Sequence, residues 1–361
     1  MTLLLSVDGP RWRDHLRAVH DRQPQLVPVC KGNGYGLGLG RLARRAQWLD
    51  ERARADGTGT LDTIAVGTYD ELPHVAQRFD GSLLVLTPWR PTGLGPRTRD
   101  PRVVHTVSRP DDLAALLAGD PAARYVLERR TSMLRHGLTA RELWDAAALL
   151  RDGSPGRSAK GLEGVALHLP MSGSNLAEAR RLMLDVVGAE LPTRTVWVSH
   201  LTDDELAALA TDYPEFTFRP RTGTGLWLGD REALRATATV LDVHAVDRGD
   251  VFGYRGRTAP KAGHVVVVTG GTAHGIGLEA PTGDASLRSR AAAVAKGGLD
   301  AAGFVRSPFS IGGKQRLFAE PPHMQASMLF LPAGAPVPAV GDRVDVRVRF
   351  TTTQFDEVEV S

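Results

Sequence analysis

Lys31 closes the short apolar run Leu26-Val27-Pro28-Val29-Cys30 and is followed at once by Gly32-Asn33-Gly34-Tyr35-Gly36-Leu37-Gly38. A strand that ends on a lysine ahead of alternating glycines is suited to holding a reactive amine beside a small ligand. Glycine lets the backbone approach a bound group closely. A partly desolvated lysine loses basicity and becomes a usable Schiff-base nucleophile. The plainer reading is a Gly-rich turn with a solvated lysine, although buried strands seldom end in a charge without a purpose. Period-2 alternation puts Val27, Val29 and Lys31 on one face and Cys30 on the other, where it packs rather than reacts.

Other chemically capable groups close later apolar runs: Arg129-Arg130, His168, His200 and Arg221. Arg221 opens the segment Arg221-Thr222-Gly223-Thr224-Gly225-Leu226-Trp227, whose glycines leave backbone amides open to a phosphate. Arg219 shares the strand face of Arg221 and rivals it. His168 reads either as a ligand-facing ring or as a core histidine with a satisfied hydrogen bond.

These groups need elements to position them. Candidate strands are Leu26–Cys30, Thr63–Gly67, Ser82–Thr87, Arg102–Thr106, Arg124–Arg129, Leu162–His168, Thr195–His200 and Phe216–Arg221. Amphipathic helices alternate with them at Arg41–Ala55, Asp111–Ala118, Ala140–Arg151, Leu176–Val187 and Asp203–Ala210. This alternation argues for a parallel sheet, and the strand count for closure into a TIM-like (β/α)8 barrel of the α/β class. In such a barrel functional groups gather at the C-terminal strand ends, where Lys31, His168, His200 and Arg221 fall. The stretch Trp89–Pro101 reads as loop, and Ala53–Thr60 and Pro91–Pro96 as surface loops.

After Trp227 the pattern changes to strands and turns: Val240–Val243, Gly263–Thr269, Arg343–Phe350 and Phe355–Val360. The expected division is a barrel over residues 11–229 and a C-terminal all-β domain over 230–361. A helix is expected from about Pro10 to His20, preceded by a strand Leu3–Val7.

With 361 residues, 42% hydrophobic and 24% charged, the chain has the composition of a soluble globular protein. Its 44 basic and 41 acidic residues are spread along it, with no basic block of the kind that tracks nucleic acid. One cysteine excludes an internal disulfide framework and fits a reducing, cytoplasmic setting. No apolar run approaches membrane-spanning length, and the start lacks the basic residues of a signal peptide. The eleven histidines show no zinc-type spacing, so no metal is expected, although His274 and His323 meeting in space would leave room for one. A small-molecule enzyme inside the cell is the reading left.

The stretch Lys31-Gly32-Asn33-Gly34-Tyr35-Gly36 resembles the cofactor-lysine motif of the alanine racemase family, Lys-x-Asn-x-Tyr-Gly. The resemblance implies a fold-type III pyridoxal phosphate enzyme, with the cofactor held as a Schiff base on Lys31 and a homodimer whose active site is built from two chains. The N-terminal strand would then join the β domain. The resemblance implies cofactor contacts from Tyr35, Arg135, His168, His200, Arg221, Gly223 and Thr224, with Arg221 facing the pyridine nitrogen. Arg135 lies in Met133-Leu134-Arg135-His136-Gly137, similar to the family's Met-x-Arg-x-Gly frame, and with Met324 is implied in substrate binding. Some relatives carry a carbon dioxide-modified lysine seven residues upstream of that arginine; this chain has Glu128, expected to pair with Arg135. Glu128 also reads simply as one of several paired charges in Glu128-Arg129-Arg130.

Near His200 the family's asparagine-serine pair is replaced by Asp203-Asp204, so Thr202 or Ser199 is expected to serve the phosphate instead. The family's second catalytic base is a tyrosine in a Gly-Tyr-x-Asp-Gly turn. Here the matching segment is Gly271-Thr272-Ala273-His274-Gly275, which leaves Thr272 and His274 as catalytic candidates. His274 has the more suitable intrinsic pKa. An arginine at the pyridine nitrogen makes a weak electron sink, which suits proton removal and return over decarboxylation. The expected activity is alanine racemisation. The alternatives are a related epimerase or lyase, or a low-turnover cofactor-binding protein.

Overall fold

The computed structural model describes residues 2–92, 100–151, 159–278 and 305–361. By its contacts the chain divides into two compact units. One comprises Arg13–Gly34 and Gly38–Gly229; the other comprises Met1–Trp12, Tyr35–Leu37 and Asp230–Ser361.

The first unit is the expected (β/α)8 barrel. β1 (Leu3–Val7) and helix α1 (Gly9–Arg22) precede its strands: β2 (Val27–Cys30), β3 (Thr63–Val66), β4 (Ser82–Pro88), β5 (Val103–Val107), β6 (Arg124–Arg129), β7 (Leu162–His168), β8 (Thr195–Ser199) and β9 (Thr217–Thr222). Between and after them run α2 (Leu39–Asp56), α3 (Leu72–Val75), α4 (Pro110–Gly119), α5 (Ala140–Arg151), α6 (Asn175–Gly188), α7 (Asp203–Asp212) and α8 (Thr224–Leu228). The barrel strands pair in parallel and in chain order, and β9 closes onto β2 with Arg221 opposite Val27. Each barrel strand falls within a residue of its expected limits. The loop expected from Ala53 starts instead at Gly57, because α2 continues to Asp56 and Gly57 then caps it at φ 69°. Of the loop expected around Trp89, residues 93–99 lie outside the described residues.

These strands read as nearly continuous apolar runs because both faces are buried. Outward residues such as Leu127, Leu167 and Val198 pack under Leu143, Leu182 and Met183 of the helices. Inward residues Val27, Val29, Ala65, Leu84, Val104, Val126, Ala166 and Trp197 fill the barrel. Trp197 plugs its base: Nε1 donates to the Glu163 carbonyl at 3.2 Å, and the Arg219 guanidinium stacks on the ring at 4.4 Å while pairing with Asp62.

In the second unit β1 runs between β10 (Leu234–Val246), antiparallel, and Glu357–Val360, parallel. The same sheet continues from β10 through Arg343–Val346, Arg306–Ile311, Lys314–Phe318, Ala326–Pro332 and Gly263–Thr269, and the last pairs with β10 as well, closing the sheet on itself. Val266, Val268, Phe309, Leu329 and Leu331 form its core. Three of these strands were not expected from the sequence. The hairpin at Gly312-Gly313, with φ of 60° and 71°, is the turn signal that marks two of them.

Because Trp197 is fully buried at the barrel axis, Trp197→Ala is expected to cost about 3–5 kcal/mol. Urea unfolding measures this; an unchanged midpoint would show that the barrel base closes without the indole.

Candidate active site

Alternation along each strand carries the inward face one step past the barrel core, to the C-terminal opening. Val29 leads to Lys31, Val126 to Glu128, Ala166 to His168, Trp197 to Ser199 and Arg219 to Arg221. Arg219 and Arg221 therefore separate by depth. Arg219 is committed to Trp197 and Asp62. Arg221 stands at the opening, 7% exposed, with Nη2 donating to the Leu167 carbonyl at 3.1 Å and Nε without a hydrogen-bond partner.

The chain turns immediately after Lys31. Gly32, Gly34, Tyr35, Gly36 and Gly38 all have φ between 56° and 83°, which explains the glycine spacing. Tyr35 is buried and belongs to the second unit, as does Gly36, where a Cβ would meet the Phe355 ring at 2.9 Å. Glu71, a residue sequence reasoning passed over, accepts from Gly32 N at 2.8 Å and from Gly67 N at 2.6 Å.

Lys31 stays open to the mouth by surface area, yet its pKa is lowered, first by the surrounding protein and then by repulsion from Arg135 and Arg221; Glu71 opposes them. Burial, opposed by Glu128 and aided by Arg135, brings Arg221 down to about 10. His168 is pushed down to about 3 by burial, then by Arg221, Arg135, His200 and Lys31. His200 shifts downward for the same reasons, burial first. Both rings are thus neutral at neutral pH. Among the described residues no cluster of His, Cys, Asp or Glu is able to hold a metal ion.

His168 pairs through Nδ1 with Ser199 Oγ at 3.1 Å and meets the His200 ring edge-on at 5.5 Å. Its carbonyl accepts from Thr131 Oγ1 at 2.7 Å. His200 takes a left-handed backbone, φ 60°, and its carbonyl accepts from Asn175 Nδ2 at 2.7 Å. Thr202, one of two residues expected to face a phosphate, instead caps α7, accepting from Glu205 N at 3.2 Å. Asp203 is tied to Arg22 and Gln23 at 2.9 and 2.6 Å. Thr222 bonds Gln23 at 3.0 Å, and Gly223 is the N-cap of α8, so Thr224 and Gly225 begin its first turn.

The loop carrying Arg135 is stapled by Arg129, which grips Asp185 at 2.8 Å and donates to the Leu138 carbonyl at 3.1 Å. Arg135 itself is exposed. The expected Glu128–Arg135 pair does not form. Glu128 is buried and accepts from Ser108 Oγ at 2.7 Å, because its strand phase aims it into the barrel.

The second unit holds Thr272, His274 and Met324. Thr272 is exposed, its N–H donating to the His323 carbonyl at 2.8 Å, and Met324 is 70% exposed. His274 is buried with both ring nitrogens engaged: Nδ1 accepts from Gly271 N at 3.2 Å, and Nε2 lies 3.1 Å from Asp356 Oδ1. The accepting Nδ1 places the ring proton on Nε2. The His323 side chain goes elsewhere, to Glu320 and the Tyr254 ring, so the two histidines share no ligand.

A (β/α)8 barrel with a lysine at the end of its first strand, followed by a closed β domain, defines the class of structure. Residues 10–189 match the alanine racemase N-terminal domain family, and the chain belongs to that family. No curated protein sequence matches it. Solved structures show the same fold at low identity. The alanine racemase of Bartonella henselae, with covalently bound pyridoxal phosphate, is 16% identical with a TM-score of 0.67, over 96% of this chain and 91% of that one. That of E. faecalis is 19% identical with a TM-score of 0.65, over 100% and 98%. That of Bacillus anthracis, with bound L-Ala-P, is 18% identical with a TM-score of 0.66, over 99% and 87%.

Folding favours the neutral His168 ring, so its contribution is complete above its unfolded pKa of 6.5 and is lost as pH falls toward about 3. Replacing the ring removes that loss. The fall in Tm of cofactor-free protein between pH 7.5 and pH 5 is expected to be smaller in His168→Gln than in the parent; equal falls would refute the assignment.

Proposed function

We propose that the protein is a pyridoxal phosphate-dependent amino-acid racemase, with alanine as substrate. One observation carries the reading: a lysine of lowered proton affinity faces Arg221, whose buried Nε lacks an acceptor. Leaving a buried donor unpaired costs about 1–3 kcal/mol, and more when the group is charged, so the site is short of an acceptor. A pyridine nitrogen with its lone pair free supplies one, and an arginine does not protonate it. The residues present therefore fit pyridoxal phosphate, the group covalently bound in the Bartonella henselae relative.

Lys31 would hold the cofactor covalently, Arg221 its ring nitrogen, and the backbone of Gly223 and Thr224 its phosphate, since first-turn amides have no partner within a helix. When bound, the cofactor supplies an aldehyde for the amine and a conjugated ring that stabilises negative charge at Cα. The chain's own residues do the rest. Lys31 Nζ, with its proton affinity lowered, takes or delivers the Cα proton on one face, and inversion needs a second group or a held water to do the same on the other. Neutral His168, its rotation fixed by Ser199, would face the cofactor ring without adding charge. Arg135, on its stapled loop, receives the substrate carboxylate.

A second reading is an enzyme in which Lys31 alone works one face of Cα. The engagement of both His274 nitrogens favours it, since neither is free to take a proton. Incubation with L-alanine in deuterated water separates the two. Deuterium entering Cα with inversion supports racemisation, entry with retention supports the single-face enzyme, and absence of exchange refutes both. Lys31→Ala is expected to lower exchange by about 10²–10⁴-fold.

A further inference from the structure

We propose that Glu71 is a positioning residue for Lys31: its carboxylate ties the end of β2 to the end of β3 and fixes where the amine stands and how much negative charge it sees. The proposal rests on reading Lys31 as the cofactor lysine. Cys30 and Val66 are opposite partners in the β2–β3 ladder, so Lys31 and Gly67 leave the barrel side by side. Glu71 spans that pair. One oxygen accepts from Gly32 N at 2.8 Å, and the other from Gly67 N at 2.6 Å and Thr68 N at 3.3 Å.

The Gly67 peptide is held from its other side too. Its carbonyl accepts from Thr87 N at 2.9 Å and Thr87 Oγ1 at 2.6 Å, which fastens it to β4. The contact between the two strand ends is close. A Cβ on Gly67 would sit 3.1 Å from Lys31 Cβ and 3.0 Å from Glu71 Oε2, so a side chain there would press the lysine stem or the carboxylate aside by a few tenths of an ångström. Gly32 at φ 60° turns the backbone away directly after Lys31, and its N–H is the one Glu71 holds. The lysine is thereby flanked by two fixed peptides, and a lysine stem otherwise has several free rotamers to lose.

Charge points the same way. The groups felt by or feeling the Lys31 amine are Arg135, Arg221, His168 and His200, with Glu71 the opposing carboxylate. Without Glu71 the amine would lose its proton more readily. With it, the amine holds its proton more firmly.

The test measures Lys31 itself in the full-length protein freed of cofactor, so it stands apart from whether racemisation occurs. The pH profile of Lys31 acylation by a limiting amine reagent, read by mass spectrometry, gives its midpoint. Glu71→Gln, which keeps one acceptor and loses the charge, is expected to move the midpoint down and raise labelling below it about 3–10-fold. Glu71→Asp keeps the charge but is too short to span both strands. Its midpoint should stay near the parent's while peptides covering residues 27–34 exchange amide hydrogen faster. An unmoved midpoint in Glu71→Gln, or unaltered exchange in Glu71→Asp, overturns the proposal. If Glu71→Gln does not fold, the exchange result decides it. Shifted labelling without deuterium entry into alanine would sink the functional reading and leave the role of Glu71 standing.

Discussion

Positive charge gathered at one end of a barrel, and only partly answered by the fold, organises this site. Arg135 and Arg221 lower the proton affinity of Lys31, and all three lower that of His168. The available carboxylates are committed. Glu128 is bonded to Ser108, and Glu71 is spread over backbone amides of Gly32, Gly67 and Thr68. Such a cluster is costly in an empty protein and favourable around an anion, because a ligand that binds only the folded state stabilises it by mass action. The electrostatics of the site therefore favour an anionic ligand, which is what the proposed function would supply.

The barrel solves the problem of bringing these groups together with strand register. Neighbouring strands run in parallel, so the inward positions past the core all emerge at the same, C-terminal opening. The contrast between Arg219 and Arg221 shows how strict this is. They share a face and differ by two residues, about 7 Å along a strand, yet one is half-buried against the Trp197 plug and the other faces the mouth. Exchanging their roles would require shifting β9 by two residues against β2 and β8.

Much of this was legible in the sequence, for a physical reason. Strands buried on both faces leave runs of Val, Leu and Ala too apolar to read as anything else, which is why Arg124–Arg129 and Leu162–His168 fall where expected. The phase of Lys31 followed from period 2 alone. What stayed hidden depends on partners distant in the chain. Glu71 lies 39 residues from the Gly32 amide it holds, and only β2–β3 pairing brings them together. Glu128 is expected to partner Arg135 because it stands where some relatives carry a modified lysine, but a strand followed by a stapled loop sends the two side chains in different directions. The strands Arg306–Ile311 and Lys314–Phe318 carry mixed polar sequence with one buried face, a weaker signal than a barrel strand gives.

The turn at Thr272–His274 shows how a residue suited to acid–base chemistry is absorbed by structure. Asp356 links three parts of the second unit: it accepts from Leu3 N at 2.7 Å, its own N–H donates to the Leu3 carbonyl at 3.0 Å, and its other oxygen meets His274. His274 in turn closes the 3-10 turn through Gly271 N. The imidazole thus joins the turn to the pairing of β1 with the last strand, and protonating Nδ1 would break its bond to Gly271. Thr272, by contrast, leaves its hydroxyl on an exposed corner of that turn, a position shaped to present a side chain and occupied by one with little acid–base capacity. The turn thus presents a poor base at its tip and commits the better one to its own stability, which under the proposed function leaves Lys31 as the one candidate base the fold has not tied down.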